Sequence, residues 1–484
     1  MPKTKMRDVV VILPGITGSV LQKDGKDLWA VSGQAAWQVF STLGKSLQQL
    51  KLDGDDPNLE DLKDGIKATR VVADVHFVPG LVKVDGYTAI SRLITDNFQV
   101  EQGDIYHSDK PANFFEFPYD WRRDNRVTAK RLKRVVDERL MQWRKHTGNE
   151  NAKVILLAHS MGGLVSRYYL EVLEGWRDCK ALITFGTPYR GSINAVNFLT
   201  NGYKKLFFDL TEVLRSFPSI YQLLPIYEML KVGDKYYRIA EAPVELPNIV
   251  RARAEDALKF HREIEDAVNR HQEDVAYLKS YKIIPVVGTK QTTLQSASIV
   301  DNQIFISSDL PDGIPALASQ FSGDGTVPYV SAIPIELSND YRETYIPEQH
   351  GSIQNNTKIL TQLRDRLTAM QIDFKNVRGP EVSSSAAKQP AINLRLDDLY
   401  LANEAVEVHA KLVDCENLGK LEAKITPISS GGSSLNAEFN QQDQDSWRLS
   451  LDSLSAGLYR LTVEASSAKP QTPYPVHALF EVVK

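Results

Sequence analysis

The sequence predicts a doubly wound α/β sheet with an inserted helical cap, followed by a separate all-β sandwich. Short Val- and Ile-rich runs end at turn residues, amphipathic helices alternate with them, and the last ninety or so residues switch to period-two patterning. The runs Val9–Leu13, Val154–Leu157, Ala181–Phe185 and Ile283–Val287 end at Pro14-Gly15, Ala158-His159-Ser160, Gly186-Thr187-Pro188 and Gly288. None alternates apolar with polar residues, as expected of parallel strands covered on both faces. A helix is expected over about 129–146, because Leu132, Val135, Val136, Leu140 and Trp143 share one face. A second is expected from Gly162 to Leu173. Strand-helix alternation of this kind builds a doubly wound sheet.

The stretch from Ile193 to Lys279 is helix-prone and aromatic, with Phe198, Tyr203, Phe207, Phe208, Phe217, Tyr221 and Tyr227, and shows no convincing buried strand. It reads as a helical cap inserted between two sheet strands, or as a simple cover for one sheet face. Residues 378–390 have linker composition. Beyond them, 392–401, 405–413, 420–428, 435–440, 447–451, 458–465 and 477–483 alternate as short strands, which suggests an immunoglobulin-like sandwich. The expected organisation is therefore a sheet domain over 1–377 with its cap at 193–279, a linker at 378–390, and a sandwich over 391–484.

Composition narrows the function. The chain has 484 residues, with 57 Lys plus Arg against 61 Asp plus Glu, for a net charge of −4. That balance argues against a nucleic-acid surface. Only two cysteines, Cys179 and Cys415, occur on different expected modules, which excludes a disulfide framework and thiolate metal clusters. The N-terminal apolar run is too short for a signal peptide, and no window approaches a membrane span. A cytoplasmic chain, peripheral at membranes, is the expectation.

The chemistry centres on Ala158-His159-Ser160-Met161-Gly162, between an expected strand and an expected helix. A seryl hydroxyl is a weak nucleophile and must be exposed beside a base. A sharp strand-to-helix turn thrusts Oγ above the sheet, and small residues two before and two after the serine let the backbones approach. Ala158 stands where glycine is usual and still fits. The base should follow the acid and the serine in chain order. Of nine histidines, four precede Ser160, His261 and His271 fall on expected cap helices, and His409 and His477 fall in the sandwich. His350 remains, just after an expected last strand at 344–346. Asp324, in the tight turn Gly323-Asp324-Gly325, is the preferred acid; Asp301, Asp309 and Asp312 are weaker rivals. The backbone N–H of Met161 is one expected oxyanion donor, and that of Ile16, in Pro14-Gly15-Ile16-Thr17-Gly18-Ser19, is the other.

Five ordered motifs resemble the lecithin:cholesterol acyltransferase family of α/β-hydrolases, over about residues 8–375. They are Pro14-Gly15-x-x-Gly18-Ser19, Pro118-Tyr119-Asp120-Trp121-Arg122, His159-Ser160-Met161-Gly162, Gly186-Thr187-Pro188-x-x-Gly191-Ser192 and Gly323-Asp324-Gly325-Thr326-Val327-Pro328. Ser216–Pro225 in the cap is similar too. The resemblance implies an α/β-hydrolase sheet, a lipid ester as the bond attacked, and a lipid-handling cap. It also implies Ser160, Asp324 and His350 as the triad, with the Ile16 and Met161 amides as the oxyanion hole. The segment after Ser19, with Trp29 and Trp37, corresponds to the family's membrane-facing lid, a position that suits interfacial contact and core packing equally. No cysteine precedes Cys179, so the lid disulfide of secreted members is not expected, and neither is their signal peptide. The expected function is cleavage of acyl esters of lipids or phospholipids through an acyl-enzyme, with transfer to an alcohol as the alternative. A latent lipid-binding effector, switched on by a protein partner through the sandwich, is a third reading. No metal or organic cofactor is expected. Pro118–Arg122 has no step in this chemistry and reads as a buried hydrogen-bonded brace.

Overall fold

The computed structural model describes residues 2–29, 47–73, 76–78, 82–107, 110–205, 208–314, 322–337, 344–371, 390–415, 420–428, 432–452, 454–466 and 472–483. Trp37, Phe207 and nearly all of the linker at 378–390 lie outside them.

Seven strands make the central sheet: β1 (Val9–Leu13), β2 (Gln102–Gly103), β3 (Phe114–Glu116), β4 (Val154–His159), β5 (Cys179–Phe185), β6 (Lys282–Gly288) and β7 (Tyr345–Ile346). Their order is β7-β6-β5-β4-β1-β3-β2, and every pairing is parallel. Leu157 lies between Ile12 and Ile183 in register. Every residue of β1 and β4 is buried, so neither strand can alternate. Burying each such Val, Ile or Leu contributes about 1.5–3 kcal/mol. Helix α1 (Asn125–Thr147) packs on α2 (Met161–Glu171). Asp124 caps α1 by accepting from the Arg126 N–H, and Gly148 ends it in the left-handed region at φ 67°. The expected apolar face of α1 is its buried face. All eleven residues of α2 are buried, which explains why that helix shows no polar stripe.

The cap is not purely helical. Leu230–Val232 and Lys235–Tyr237 form a hairpin around Gly233, which has φ 60°. Leu230–Val232 also pairs with Ser296–Val300, and a further hairpin completes a four-stranded sheet. The two cap strands, Leu230–Val232 and Lys235–Tyr237, are three residues long, too short for period-two patterning to stand out. The long cap helix α3 (Arg251–His271) buries Phe260, His261 and Ile264.

The C-terminal part is an all-β sandwich with its own apolar core. One sheet holds β8 (Ala391–Leu396), β10 (Val406–Val413), β13 (Asn440–Gln441) and β14 (Ser446–Leu451). The other holds β9 (Leu399–Leu401), β11 (Lys420–Pro427), β12 (Leu435–Glu438), β15 (Gly457–Ser466) and β16 (Val476–Val483). The expected single strand 392–401 is two strands in different sheets. The chain crosses over at Asp397-Asp398, where the Asp397 N–H donates to the Tyr400 hydroxyl.

Two titrating groups lie on the outer face of β16. Burial holds Glu481 up at about 7 from an ordinary 4.5, and its charge acts on Tyr203 of the cap. Burial pulls His477 down, but the hydrogen bond and charge of Glu348, with Asp85, outweigh it and leave His477 above its ordinary value; Arg460 opposes. Both groups hold their protons more tightly folded than unfolded. Their stabilisation is present below the unfolded pKa values and is lost as pH rises through the folded ones. Thermal melting should therefore show stability falling from about pH 4.5 toward neutrality, and Glu481→Gln should flatten that fall. Parallel wild-type and variant curves across this window would refute the assignment.

Candidate active site

All the expected site residues lie at the carboxyl ends of sheet strands, where open α/β sheets place their ligands. Ser160 follows β4 directly and has φ 51° and ψ −125°, an uncommon conformation for a residue with a side chain. Three neighbours make the turn possible. A Cβ on Gly162 would sit 2.5 Å from the Pro14 carbonyl, one on Gly163 would meet the Thr187 hydroxyl, and one on Gly15 would lie 2.8 Å from Ser160 Cβ. The turn is pinned by Ser160 N–H donating to Phe185 O and by the Thr187 hydroxyl donating to Ser160 O.

The structure brings Ser160, His350 and Asp324 together. His350 Nε2 is 3.0 Å from Ser160 Oγ, and its Nδ1 is 2.8 Å from Asp324 Oδ2. Asp324 is buried, and its other oxygen accepts from the N–H groups of Thr326 (2.9 Å) and Val327 (2.7 Å). With Asp324 accepting at Nδ1, the imidazole is left with Nε2 as an acceptor for the seryl proton. The backbone adds a tie, since His350 N–H donates to Asp324 O at 2.9 Å. Gly186, at φ 57°, lies so close that a Cβ there would come within 2.9 Å of both Asp324 Oδ2 and His350 Nδ1. The rivals Asp301 and Asp309 flank the hairpin strand Gln303–Ser307, and Asp312 follows it; none is hydrogen-bonded to His350.

Ile16 lines the cavity above Ser160, and Met161 begins α2, where helix N–H groups have no intrahelical partner. Among the described residues neither amide donates to a protein acceptor. Both are available to an incoming oxygen.

Tyr87 was invisible to motif reading. Gly15 N–H donates to its hydroxyl at 2.9 Å, and that hydroxyl donates to His159 Nδ1 at 2.8 Å. His159 Nε2 then donates to His350 O at 3.2 Å. Burial, and then the neighbouring His350, pull His159 down to about 3, so it stays neutral and can serve as acceptor and donor at once. The chain of bonds ties the Gly15-Ile16 loop to the loop that holds His350. The residue pattern around Tyr87 is that of an ordinary helix start, and no sequence signal marks it.

The brace expected at Pro118–Arg122 takes a definite form. Arg122 is fully buried and bonds Asp120 and Asp64, while Tyr119 and Trp121 donate to the carbonyls of Pro14 and Ser19. Trp121 also faces the cavity, edge-on to Trp29 at 5.1 Å and to Phe217 at 5.8 Å. Trp29 is thus packed in the core, its indole N–H donating to Thr17 O. The cavity above Ser160 measures about 390 Å³ and is walled by Trp29 and Trp121 together with Leu214 and Phe217 of the cap. Among the described residues no group of three or more His, Cys, Asp or Glu is placed to hold a metal ion.

A serine on a strained strand-to-helix turn, bonded to a histidine held by a buried aspartate over a parallel sheet, is the geometry of the serine-hydrolase class. Residues 106–303 match the family described as lecithin:cholesterol acyltransferase. The chain is thus related to that family through this segment, as its motifs implied. The human lysosomal phospholipase A and acyltransferase is 26% identical over 250 residues, 49% of this chain and 56% of that protein. The chain therefore spans little more than half the length of this relative. Among solved structures, the Bacillus licheniformis lipase BlEst2 in propeptide form is similar at a TM-score of 0.32 and 14% identity, over 98% of this chain and 93% of that one. Phospholipase PlaB from Legionella pneumophila is similar at a TM-score of 0.18 and 12% identity, over 99% and 92%.

Tyr87→Phe removes the hydroxyl on which Gly15 N–H and His159 converge. An unmet buried polar group costs about 1–3 kcal/mol. Melting should drop accordingly, and kcat on a soluble ester should fall several-fold with KM little changed. Wild-type kcat in the variant would show that the Tyr87 bridge does not position His350. Gly186→Ala should be more damaging to kcat, since its new Cβ meets Asp324 and His350 directly.

Proposed function

We propose that this chain is a serine esterase of the phospholipase kind, cleaving acyl esters of lipids. The observation that supports it most is the 3.0 Å contact of Ser160 Oγ with His350 Nε2 on the floor of an apolar cavity. In this reading Ser160 Oγ forms a bond to the acyl carbonyl carbon while His350 Nε2 takes the hydroxyl proton. The carbonyl oxygen, now negative, accepts from the Ile16 and Met161 amides. Collapse breaks the ester bond, and His350 returns the proton to the departing alcohol. Water then adds to the acyl-enzyme by the same steps and releases the fatty acid and free Ser160. Asp324 holds the imidazole and stabilises its protonated form. Each oxyanion donor is worth about 2.7–4 kcal/mol of barrier in comparable sites.

The human relative's name joins phospholipase A to acyltransferase, and the chemistry is common to both. If an alcohol reaches the acyl-enzyme before water does, the same site is a lipid O-acyltransferase. Product analysis by mass spectrometry, with and without a lipid alcohol, separates the two. The substrate reading carries with it transient contact with a membrane surface, and we read the chain as a cytoplasmic protein peripheral to membranes. Among the described residues no helix is long and apolar enough to cross one. We further read the chain as a sheet domain over 1–377, a linker at 378–390 and an immunoglobulin-like sandwich over 391–484. Recruitment of a protein partner by that sandwich is the reading of a different class.

A fluorophosphonate probe should label wild type at Ser160 and leave Ser160→Ala unlabelled. Asp324→Asn should lower kcat by about four orders of magnitude while the fold is retained. An unlabelled but folded wild type presented with vesicles, or an active Ser160→Ala, would sink the mechanism.

A further inference from the structure

Strands on the surface of a sandwich alternate buried and exposed residues, and β10, β11 and β14 do so. Strand β16 does not. Its inner face, Val476, Ala478, Phe480 and Val482, joins the sandwich core, yet Leu479, Glu481 and Val483 on the outer face are 3%, 4% and 3% exposed. Leu479 packs on Leu458 and Ile428 of the sandwich itself and lines the cavity of the α/β part, His477 pairs with Glu348, and the Glu481 charge acts on Tyr203, so this face meets the α/β part of the same chain.

Most polar contacts across this junction fall on the loop that holds His350 and on the segment after β6 that is bridged to the Asp324 turn. Gln291, bridged by its backbone to Gly323, donates its side-chain amide to Ile392 O at 2.9 Å, and its carbonyl accepts from Leu394 N–H at 3.3 Å. Lys290 pairs with Asp414 at 2.5 Å. On the other loop, fully buried Glu348 accepts from the backbone N–H of His477 at 3.1 Å and pairs with its Nδ1 at 2.8 Å. Arg460 pairs with Asp85 nearby. A buried carboxylate bonded in this way is costly to separate from its partners, so the sandwich sits in a fixed position over the site. In that position Leu394, Leu396 and Leu479 line the same cavity as Ser160 and His350.

We propose that the sandwich is part of the substrate site: Leu394, Leu396 and Leu479 form a wall of the cavity against which the acyl chain lies, so that acyl-chain selection is shared between the cap and the C-terminal domain. This rests on the reading of the cavity as an acyl-ester site. Apolar contact is what these leucines offer, and chain length is what an apolar wall can measure, at about 10- to 200-fold per methylene gained or lost.

The test uses the full-length protein with p-nitrophenyl butyrate and p-nitrophenyl palmitate, and a short-chain fluorophosphonate to report Ser160. Leu396 is half-buried and faces the cavity, so a larger side chain there takes up cavity space. Leu396→Trp should lower kcat/KM for the palmitate at least about tenfold more than for the butyrate, with Ser160 still labelled. Leu396→Ala, the milder variant, should shift preference toward the longer ester, and Lys424→Ala on the exposed side of β11 should do neither. If Ser160 labels and butyrate turns over while neither Leu396 variant moves the palmitate-to-butyrate ratio, the wall is refuted and the active site stands. If His477→Ala raises turnover of both esters equally, the sandwich is a plug and the inference is overturned. If folded wild type neither labels nor cleaves either ester, the reading of the site falls and this inference falls with it.

Discussion

The hydrogen bond from His350 to the buried Asp324 is the interaction on which the site depends. A carboxylate taken out of water must be paired and hydrogen-bonded, and Asp324 uses its two oxygens on the imidazole and on two N–H groups of its own turn. That geometry demands room, which explains why Gly186 and Gly288 pack against it: a Cβ on Gly288 would lie 2.4 Å from Asp324 Cβ. Strand ends β5 and β6 are thereby committed to accommodating the acid, and β7 delivers the histidine to it. Ser160, held in its strained turn by the same packing, meets the free imidazole nitrogen.

Order spreads outward from this point through buried polar links rather than through apolar packing alone. His159 and Tyr87 carry it to the Gly15-Ile16 loop, and Glu348 carries it to the sandwich. Each link is a directional bond between buried or half-buried groups, so each fixes a position as well as a distance. The apolar residues supply most of the stabilisation; the polar links decide where the loops stand.

Some of this was legible in the residues. Continuous Val and Ile runs marked the buried strands because parallel strands have no wet face, and the turn around Ser160 was marked by its small neighbours. His350 and Asp324 could be reached by elimination and chain order, and the structure brings both to Ser160. The short cap strands escaped because three residues show no period. The split of 392–401 escaped because Asp397-Asp398 looks like a polar position in an alternating strand. Tyr87 and Glu348 lie in segments with no motif, and their importance comes from what folds against them.

By itself the sequence determined which elements form and which side chains could do the chemistry, since periodicity, turn residues and the order of nucleophile, acid and base are local or linear properties. It determined the sandwich as a unit in the same way. Only the tertiary structure decided that β16 is covered on both faces, that His477 answers Glu348 from 129 positions away, and that leucines of the sandwich share a cavity with Ser160. Burial of an outer face and pairing across a junction depend on which surfaces meet, and an alternating strand is written the same way whether its outer face meets water or another part of the chain.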